Sequence, residues 1–107
     1  MISFDDFKKL DLRAGTVTAA EYIEDADKLL LLKISLGDEE RQVVSGIRSV
    51  VDDPADLVGI QLILVANLEP REIFGYESQG MILAARDVDE LSLATFTTPI
   101  TAGTKVS

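Results

Sequence analysis

The alternation of apolar and polar residues predicts short β-strands along most of the chain. One run carries an apolar side chain at every second position: Leu30, Leu32, Ile34 and Leu36. Lys33 and Ser35 lie between them, which is the period of a strand buried on one face. The sequence Gly37-Asp38-Glu39-Glu40 separates this run from RQVVSG and predicts an antiparallel hairpin.

The first twenty residues predict a helix and a strand. Ser3 and Asp6 have the spacing of a capping box, so we expect a short helix at about residues 4–9. From Leu10 the apolar residues alternate, but the phase changes after Gly15. We interpret Gly15 as the site of a β-bulge in this strand.

The second half of the chain predicts a connector and more short strands. Pro54 and Gly59 interrupt residues 47–59, which we expect to form a broken helical connection. The strand at residues 61–66 is apolar on both faces and must be covered twice. Residues 68–79 are expected to be a loop with Pro70 and Gly75, and the segments GMILAAR, LSLATF and GTKV are expected to be strands.

This order of elements favours an all-β fold, the five-stranded oligonucleotide/oligosaccharide-binding (OB-fold) barrel. The barrel would carry a short N-terminal helix, a connecting helix between strands 3 and 4, and extra C-terminal strands. With 107 residues and 11.6 kDa, the chain has room for one domain, residues 1–107.

Composition narrows the function classes. The chain has no Cys and no His, which removes thiolate and imidazole metal ligands and the His-dependent catalytic triads. We therefore expect no metal, no cofactor and no enzyme activity. The apolar runs are too short for a membrane span, and no export signal is recognised, so a cytoplasmic location is expected. Ten basic against nineteen acidic residues give a net charge of −9, which counts against a phosphate-rich partner.

Several sequence blocks nevertheless point to one family. They are Ala26-Asp27-Lys28-Leu29, Ser45-Gly46-Ile47, Asn67-Leu68-x-Pro70 and Gly75-x-x-Ser78-x-Gly80-Met81. From about Phe4 to Val106 the chain resembles the tRNA-binding domain that occurs as free-standing proteins and as the C-terminal part or separate β subunit of methionyl-tRNA synthetases. The resemblance implies an OB-fold barrel, usually a homodimer, that recognises tRNA by shape without a catalytic step.

The candidate RNA-binding residues follow from this resemblance and from their chemistry. Hairpins of this barrel present their outer positions to a nucleic-acid strand, and short polar, cationic and apolar side chains suit sugars, phosphates and bases respectively. The candidates are Lys33, Arg41, Gln42, Ser45, Asn67, Arg71, Ser78 and Met81. Asn67 and Ser78 could equally serve turn chemistry around Pro70 and Gly80, and Met81 could equally fill the core.

Acidic residues near Arg71 depart from the family pattern. Glu69 and Glu72 flank this arginine, and only Phe74 and Tyr76 supply aromatic rings in the expected binding segment. We expect a low-affinity accessory module that acts beside methionyl-tRNA synthetase or alone. The alternative is a peptide-binding barrel similar to CsaA-type chaperones, whose acidic surface would prefer basic segments. A carboxylate pair such as Glu69 and Glu72 is the only enzyme-like feature, and nothing else supports it.

Overall fold

The computed structural model describes residues 1–107 as one helix and ten strands. The bounds are α1 Phe4–Lys8, β1 Leu12–Tyr22, β2 Leu30–Ser35, β3 Glu40–Ser45, β4 Gln61–Val65, β5 Arg71–Ile73, β6 Tyr76–Ser78, β7 Met81–Ile82, β8 Ala84–Arg86, β9 Leu91–Leu93 and β10 Lys105–Val106. No helix is long and apolar enough to span a membrane.

The main sheet has the strand order β3-β2-β1-β4-β7, and β10 adds to β1. Every pairing is antiparallel, and β5–β6 and β8–β9 form separate two-stranded hairpins. The long strand β1 joins β4 near its start and β2 along its second half, so the sheet curls almost into a closed barrel. The prediction of an all-β OB-fold barrel is confirmed.

The barrel interior holds a cluster of twelve buried apolar residues. The alternation predicted for β2 is confirmed, because Leu30, Leu32 and Ile34 are fully buried. A second, smaller cluster lies on the opposite face of the β2–β3 hairpin and contains Ile23, Ala26, Leu31 and Val44. Leu29 and Ile73 pack against this second cluster, so it holds the β1–β2 connection and the β5–β6 hairpin beside the barrel.

The β-bulge predicted at Gly15 in strand β1 is wrong. Gly15 pairs regularly with Leu62, and the register shift lies between Val17 and Ala19. A Cβ at Gly15 would collide with the Ile34 side chain, so glycine serves close packing at this position. The apolar phase changes because β1 is buried first on its outer face, at Ala14, and then on its inner face, at Val17.

The connection between β3 and β4 contains two 3₁₀ turns, Arg48–Val50 and Pro54–Leu57, rather than one helix. Pro54 begins the second turn, and the Asp53 carboxylate accepts a hydrogen bond from the Ala55 N–H at 3.0 Å. Leu57 is fully buried in the barrel cluster. The break at Pro54 was predicted, whereas each helical piece is shorter than expected.

The loop predicted for residues 68–79 is wrong, because these residues contain the β5–β6 hairpin. Phe74 and Gly75 form its two-residue turn with φ values of 53° and 86°. Two consecutive positive φ values are the signature of a type I′ turn, whose twist suits a tight hairpin. Most side chains of this hairpin are exposed, and Ile73 is the only aliphatic residue of its two strands on the covered face with Ser78, so its sequence lacks the apolar alternation of a strand.

Helix α1 is confirmed, with the reciprocal Ser3–Asp6 capping box that the spacing predicted. None of its residues is buried, and Phe4 remains 72% exposed. The helix is tied to the barrel through the Asn67 amide, which accepts a hydrogen bond from the Asp11 N–H at 2.9 Å and donates one to the Lys9 carbonyl at 2.7 Å. Its apolar face lies open on the outside of the barrel.

Candidate nucleic-acid interface

Side-chain hydrogen bonds close the barrel between β3 and the residues that follow β6. We call this junction the seam and define it as Arg41, Gln42, Ser78 and Gln79. The Gln79 N–H donates to the Gln42 carbonyl at 2.7 Å, and the Gln42 N–H donates to the Gln79 side-chain oxygen at 2.9 Å. The Gln42 side chain also donates to the Glu77 carbonyl at 2.9 Å. These bonds satisfy an edge of β3 that would otherwise be unpaired.

The side chains of Arg41 and Ser78, which complete the seam, also form hydrogen bonds within the chain. Arg41 donates to the Ala66 carbonyl at 2.8 Å and to the Gln79 carbonyl at 3.1 Å. The buried Ser78 hydroxyl accepts a hydrogen bond from the Val44 N–H at 3.0 Å and donates to the Gly80 carbonyl at 3.3 Å. Each of these polar groups therefore has a structural partner within the chain.

Two grooves lie next to the seam, one on each side of a shared wall made by Arg71, Ile73 and Met81. The barrel groove has a volume of about 270 Å³ and is bounded elsewhere by Leu29, Val44, Ser45, Gly46, Ile47, Ile82, Ala84 and Arg86. The hairpin groove has a volume of about 380 Å³ and is bounded elsewhere by Leu68, Glu69, Pro70, Ser78 and Gly80. Both combine apolar surface with a few polar groups, as binding clefts generally do.

Two of the ten basic residues, Arg71 and Arg86, line the barrel groove, and Lys28 and Arg48 lie in the chain segments next to it, beside Leu29 and Ile47. We call these four residues, Lys28, Arg48, Arg71 and Arg86, the rim. Arg86 donates to the Gly46 carbonyl at 3.0 Å, and the Arg48 N–H donates to the Lys28 carbonyl at 3.3 Å. The Arg71 side chain is exposed and has no ion-pair or hydrogen-bond partner in the structure. The rim is thus a cationic surface in a chain of net charge −9.

Arg48 also holds the β1–β2 connection in place. Its guanidinium lies over the Tyr22 ring, 4.3 Å from the ring centroid, and donates to the Ala26 carbonyl at 3.4 Å. The Tyr22 hydroxyl donates to the Asp52 carbonyl at 2.8 Å. These contacts fix the segment that carries Lys28, so one wall of the barrel groove is preorganised.

Acidic side chains border this cationic surface on the hairpin side. Glu72 and Glu77 are direct cross-strand partners in the β5–β6 hairpin, and Glu69 lines the hairpin groove beside Arg71. Like charges placed opposite each other on a hairpin repel. Because neighbouring residues of a strand point to opposite faces, Glu72 and Glu77 lie on the hairpin face opposite Arg71, and Glu69 is the carboxylate next to this arginine.

The structure separates the eight sequence candidates into groups. Ser45, Arg71 and Met81 line the barrel groove, and Ser78 lines the hairpin groove from the seam. Arg41 and Gln42 lie in the seam, Lys33 is the cross-strand partner of Gln42, and Asn67 lies at the end of β4 against the N-terminal segment. Contact of any of them with RNA stays a prediction.

Three rim residues were not among the candidates: Lys28, Arg48 and Arg86. Lys28 lies in the family-like block Ala26-Asp27-Lys28-Leu29, which was a usable signal. Arg48 and Arg86 lie outside the quoted blocks, and 37 intervening residues hide their proximity around Gly46. No group of three or more His, Cys, Asp or Glu side chains is arranged to hold a metal ion.

An OB-like barrel with a cationic groove on one side defines a class of nucleic-acid-binding modules. Comparison with known proteins specifies the family. Residues 12–105 match the family model of the tRNA binding domain. The chain belongs to the tRNA-binding domain family, as its sequence blocks predicted.

Individual relatives agree with this assignment. The chain is 57% identical over 88 residues to a methionine–tRNA ligase of Salinibacter ruber, an alignment that covers 82% of this chain and 12% of the ligase. Among solved structures, it is similar to a MetRS-related protein from Pyrococcus horikoshii, with 34% identity, a TM-score of 0.91 and coverage of 100% of this chain and 98% of that one. It is also similar to the chaperone CsaA from Bacillus anthracis, with 32% identity, a TM-score of 0.89 and coverage of 100% and 99%.

Proposed function

We propose that the chain is a non-catalytic module that binds tRNA through the rim and the two grooves beside it. The observation that carries this proposal is the groove lined by Arg71 and Arg86, with Lys28 and Arg48 in the segments next to it, in a chain of the tRNA-binding domain family. Phosphate contacts from Lys and Arg supply most of the affinity for nucleic acids. The acidic remainder of the surface repels RNA and confines binding to this region.

We propose that the module acts as a homodimer, because an apolar surface lies open on the outer face of the barrel. Ala14 is fully buried there in a groove of about 370 Å³ shared with Phe96, Ile100 and Val106. Val106 also borders a second groove of about 300 Å³ whose walls include the exposed Phe4, Phe7 and Leu10. A second copy of the chain would cover this continuous surface through a two-fold interface.

The dimer proposal is tested by light scattering at micromolar concentration. A particle of twice the 11.6 kDa chain mass is expected. Phe4→Asp combined with Ile100→Asp should halve that mass, whereas Val88→Asp should not, because Val88 is 92% exposed in the turn between β8 and β9. A parent protein of about 12 kDa would rule out the dimer.

The relatives support a role beside methionyl-tRNA synthetase. The chain spans only 12–17% of the length of the curated methionine–tRNA ligases that it matches. It also matches nearly the whole length of the Pyrococcus MetRS-related protein, so this domain occurs in a chain of similar size. We propose that it raises the local concentration of tRNA, alone or as an accessory subunit of the synthetase, in the cytoplasm. Co-purification of the native protein with its RNA and protein partners tests this context.

A second candidate function is peptide binding, as in a chaperone. The similarity to CsaA over the full length of both chains favours it, and so does the apolar lining of the hairpin groove. An acidic protein would select basic, unfolded segments. This hypothesis places the peptide in the hairpin groove, whose lining includes Glu69.

Fluorescence anisotropy with labelled bulk tRNA and a labelled basic peptide separates the two functions. The tRNA proposal expects binding of tRNA that weakens steeply with salt and is reduced by Arg71→Ala. Lys105→Ala provides the control, because Lys105 lies on β10 and does not line either groove. Peptide binding without tRNA binding would favour the chaperone instead.

A further inference from the structure

The two grooves beside the seam share one wall, and this shared wall carries a cation. Arg71, Ile73 and Met81 border both the barrel groove and the hairpin groove. The arginine thus stands between two cavities that each offer apolar surface. An inference from this geometry rests on the proposed function, because it specifies which part of an RNA the grooves take.

Each groove has the size and lining for one flat group. Volumes of about 270 and 380 Å³ lie near the lower end of the roughly 300–1,000 Å³ typical of small-molecule sites. Ile73 and Met81 supply apolar wall to both grooves, and Pro70 adds the apolar face of its ring to the hairpin groove. Such surfaces can pack against the face of a nucleobase, and the thioether of Met81 adapts to the shape of its neighbour.

Arg71 has its full hydrogen-bonding capacity available. Two other rim arginines already use part of their hydrogen-bonding capacity, since the Arg86 guanidinium donates to the Gly46 carbonyl and the Arg48 guanidinium to the Ala26 carbonyl. The Arg71 guanidinium donates to no group in the structure. A free guanidinium can grip a phosphate through two parallel N–H donors. The spatial order of barrel groove, Arg71 guanidinium and hairpin groove therefore matches the order of base, phosphate and base along a nucleic-acid strand.

The surroundings favour an unpaired strand over a double helix. Double-stranded nucleic acid presents a charge about every 1.7 Å along its axis, and Glu69 lines the hairpin groove together with Arg71. A second strand would bring phosphates towards this carboxylate. In addition, only unpaired bases can leave the stack and enter a groove.

We propose that the twin grooves bind two successive unpaired nucleotides of RNA, one base in each groove, with the phosphate between them on Arg71. Within a tRNA, the grooves would then take a single-stranded segment, and the overall shape of the tRNA would decide which segment reaches them. The grooves would anchor that segment, and the rest of the rim would contact the flanking phosphates.

The test is competition against labelled tRNA by two unlabelled probes, hexauridylate and a blunt-ended RNA duplex of about twelve base pairs, compared at equal phosphate concentration. Hexauridylate should displace tRNA, and the duplex should not. Arg71→Ala should weaken direct binding of hexauridylate about tenfold, the loss of about one charge-assisted hydrogen bond. It should also reduce the magnitude of the log-affinity versus log-salt slope by about 0.7, the value for one phosphate of a single strand.

Lys105→Ala should change neither quantity and serves as the matched control. If tRNA binds but hexauridylate does not compete, or if the duplex competes equally well, this inference is wrong and the proposed function stands. An effect of Arg71→Ala no larger than that of Lys105→Ala would also overturn it. If the parent binds neither tRNA nor hexauridylate, both proposals fail.

Discussion

Arg41 and Arg71 are the same residue type in adjoining parts of the site, yet the structure uses them differently. Arg41, in the seam, donates to two backbone carbonyls and to the Glu39 carboxylate, and its side chain is 26% exposed. Arg71, in the rim, is exposed and has no partner. The seam holds the barrel closed, whereas the rim offers cations to a ligand.

This difference shows why a cation cannot be assigned to RNA from its strand position alone. In the sequence both arginines are candidates for the same reason, because Arg41 lies on a predicted hairpin and Arg71 in a predicted loop of the expected binding face. What separates them is whether a neighbouring segment supplies carbonyl acceptors, as residues 66 and 79 do for Arg41. Removing the two side chains should therefore have opposite consequences for stability and for affinity.

Seam substitutions are expected to have the largest effect, and that effect is on folding. Ser78→Ala leaves the buried Val44 N–H without its acceptor and should lower the free energy of unfolding by about 1–3 kcal/mol. Arg41→Ala should have a similar effect, because it leaves the Ala66 and Gln79 carbonyls without their shared donor. Urea denaturation measures both.

Ser92→Ala is the control for this pair, since Ser92 is exposed on β9 and should change stability by less than about 0.5 kcal/mol. A Ser78→Ala protein as stable as the parent would show that the seam does not hold the barrel closed.

Rim substitutions should reverse this pattern. The double variant Arg71→Ala/Arg86→Ala should bind tRNA more than tenfold more weakly, and the magnitude of its log-affinity versus log-salt slope should fall by about 1.5. The exposed Arg71 makes no structural contact, and Arg86 makes only one hydrogen bond, to Gly46, so stability should change little. Equal tRNA affinity in the double variant and the parent would move the site elsewhere on the barrel.

Reversing the charge of the glutamates that flank Arg71 should have the opposite effect on tRNA affinity. Glu69→Lys with Glu72→Lys changes the local charge by four units and should raise tRNA affinity. If both lysines reach phosphates, the magnitude of the log-affinity versus log-salt slope should increase by about 1.5. A purely long-range effect would instead be confined to dilute buffer, since the Debye length is about 8 Å at 0.15 M salt.

Asp38→Lys with Asp56→Lys is the matched control for net charge. Both carboxylates are exposed, and neither makes a side-chain hydrogen bond in the structure. An equal gain in affinity from this control would mean that net charge alone governs binding.

The smallest expected effect concerns the N-terminal segment, which belongs to neither the seam nor the rim. A hydrogen bond from the Arg13 guanidinium lowers the pKa of Asp11 below its ordinary value of 3.8. The ionised carboxylate therefore stabilises the fold above about pH 4, and this contribution is lost as the pH falls through the lowered pKa.

Asp11→Asn should be slightly less stable than the parent at neutral pH, and the difference should shrink below pH 4. Denaturation curves at pH 7 and pH 3 measure it, and tRNA affinity at neutral pH should stay unchanged. A difference that grows at acid pH would contradict the assigned ion pair.

The sequence predicted the parts of the fold whose burial is periodic. The β2 run of Leu30, Leu32 and Ile34 is confirmed, because its pattern records which face is covered. Helix α1 is confirmed for a different reason, since the spacing of Ser3 and Asp6 records its cap. The β5–β6 hairpin was missed because most of its residues are exposed on both faces. Its turn depends on positive φ at Phe74, which the residue type does not suggest.

The candidate site was predicted only in part for a related reason. Met81 lies in one family-like block and Arg71 directly follows another, so the hairpin side of the grooves could be identified. The rim also needs Arg86, which only the barrel topology brings to Gly46, and Arg48, which it brings to Lys28. The hydrogen bond from Arg41 to the Gln79 carbonyl likewise depends on the packing of β3 against residue 79. No local sequence pattern indicates that contact.

The central claim is that RNA contacts the rim and its grooves rather than the outer apolar face. Backbone-amide NMR spectra recorded during titration with tRNA test it most directly. We expect the largest chemical-shift changes in the segments that border the barrel groove and carry the rim. These segments are Lys28–Leu29, Gly46–Arg48, Arg71–Ile73 and Met81–Arg86. Changes concentrated instead at α1, residues 96–100 and β10 would contradict it.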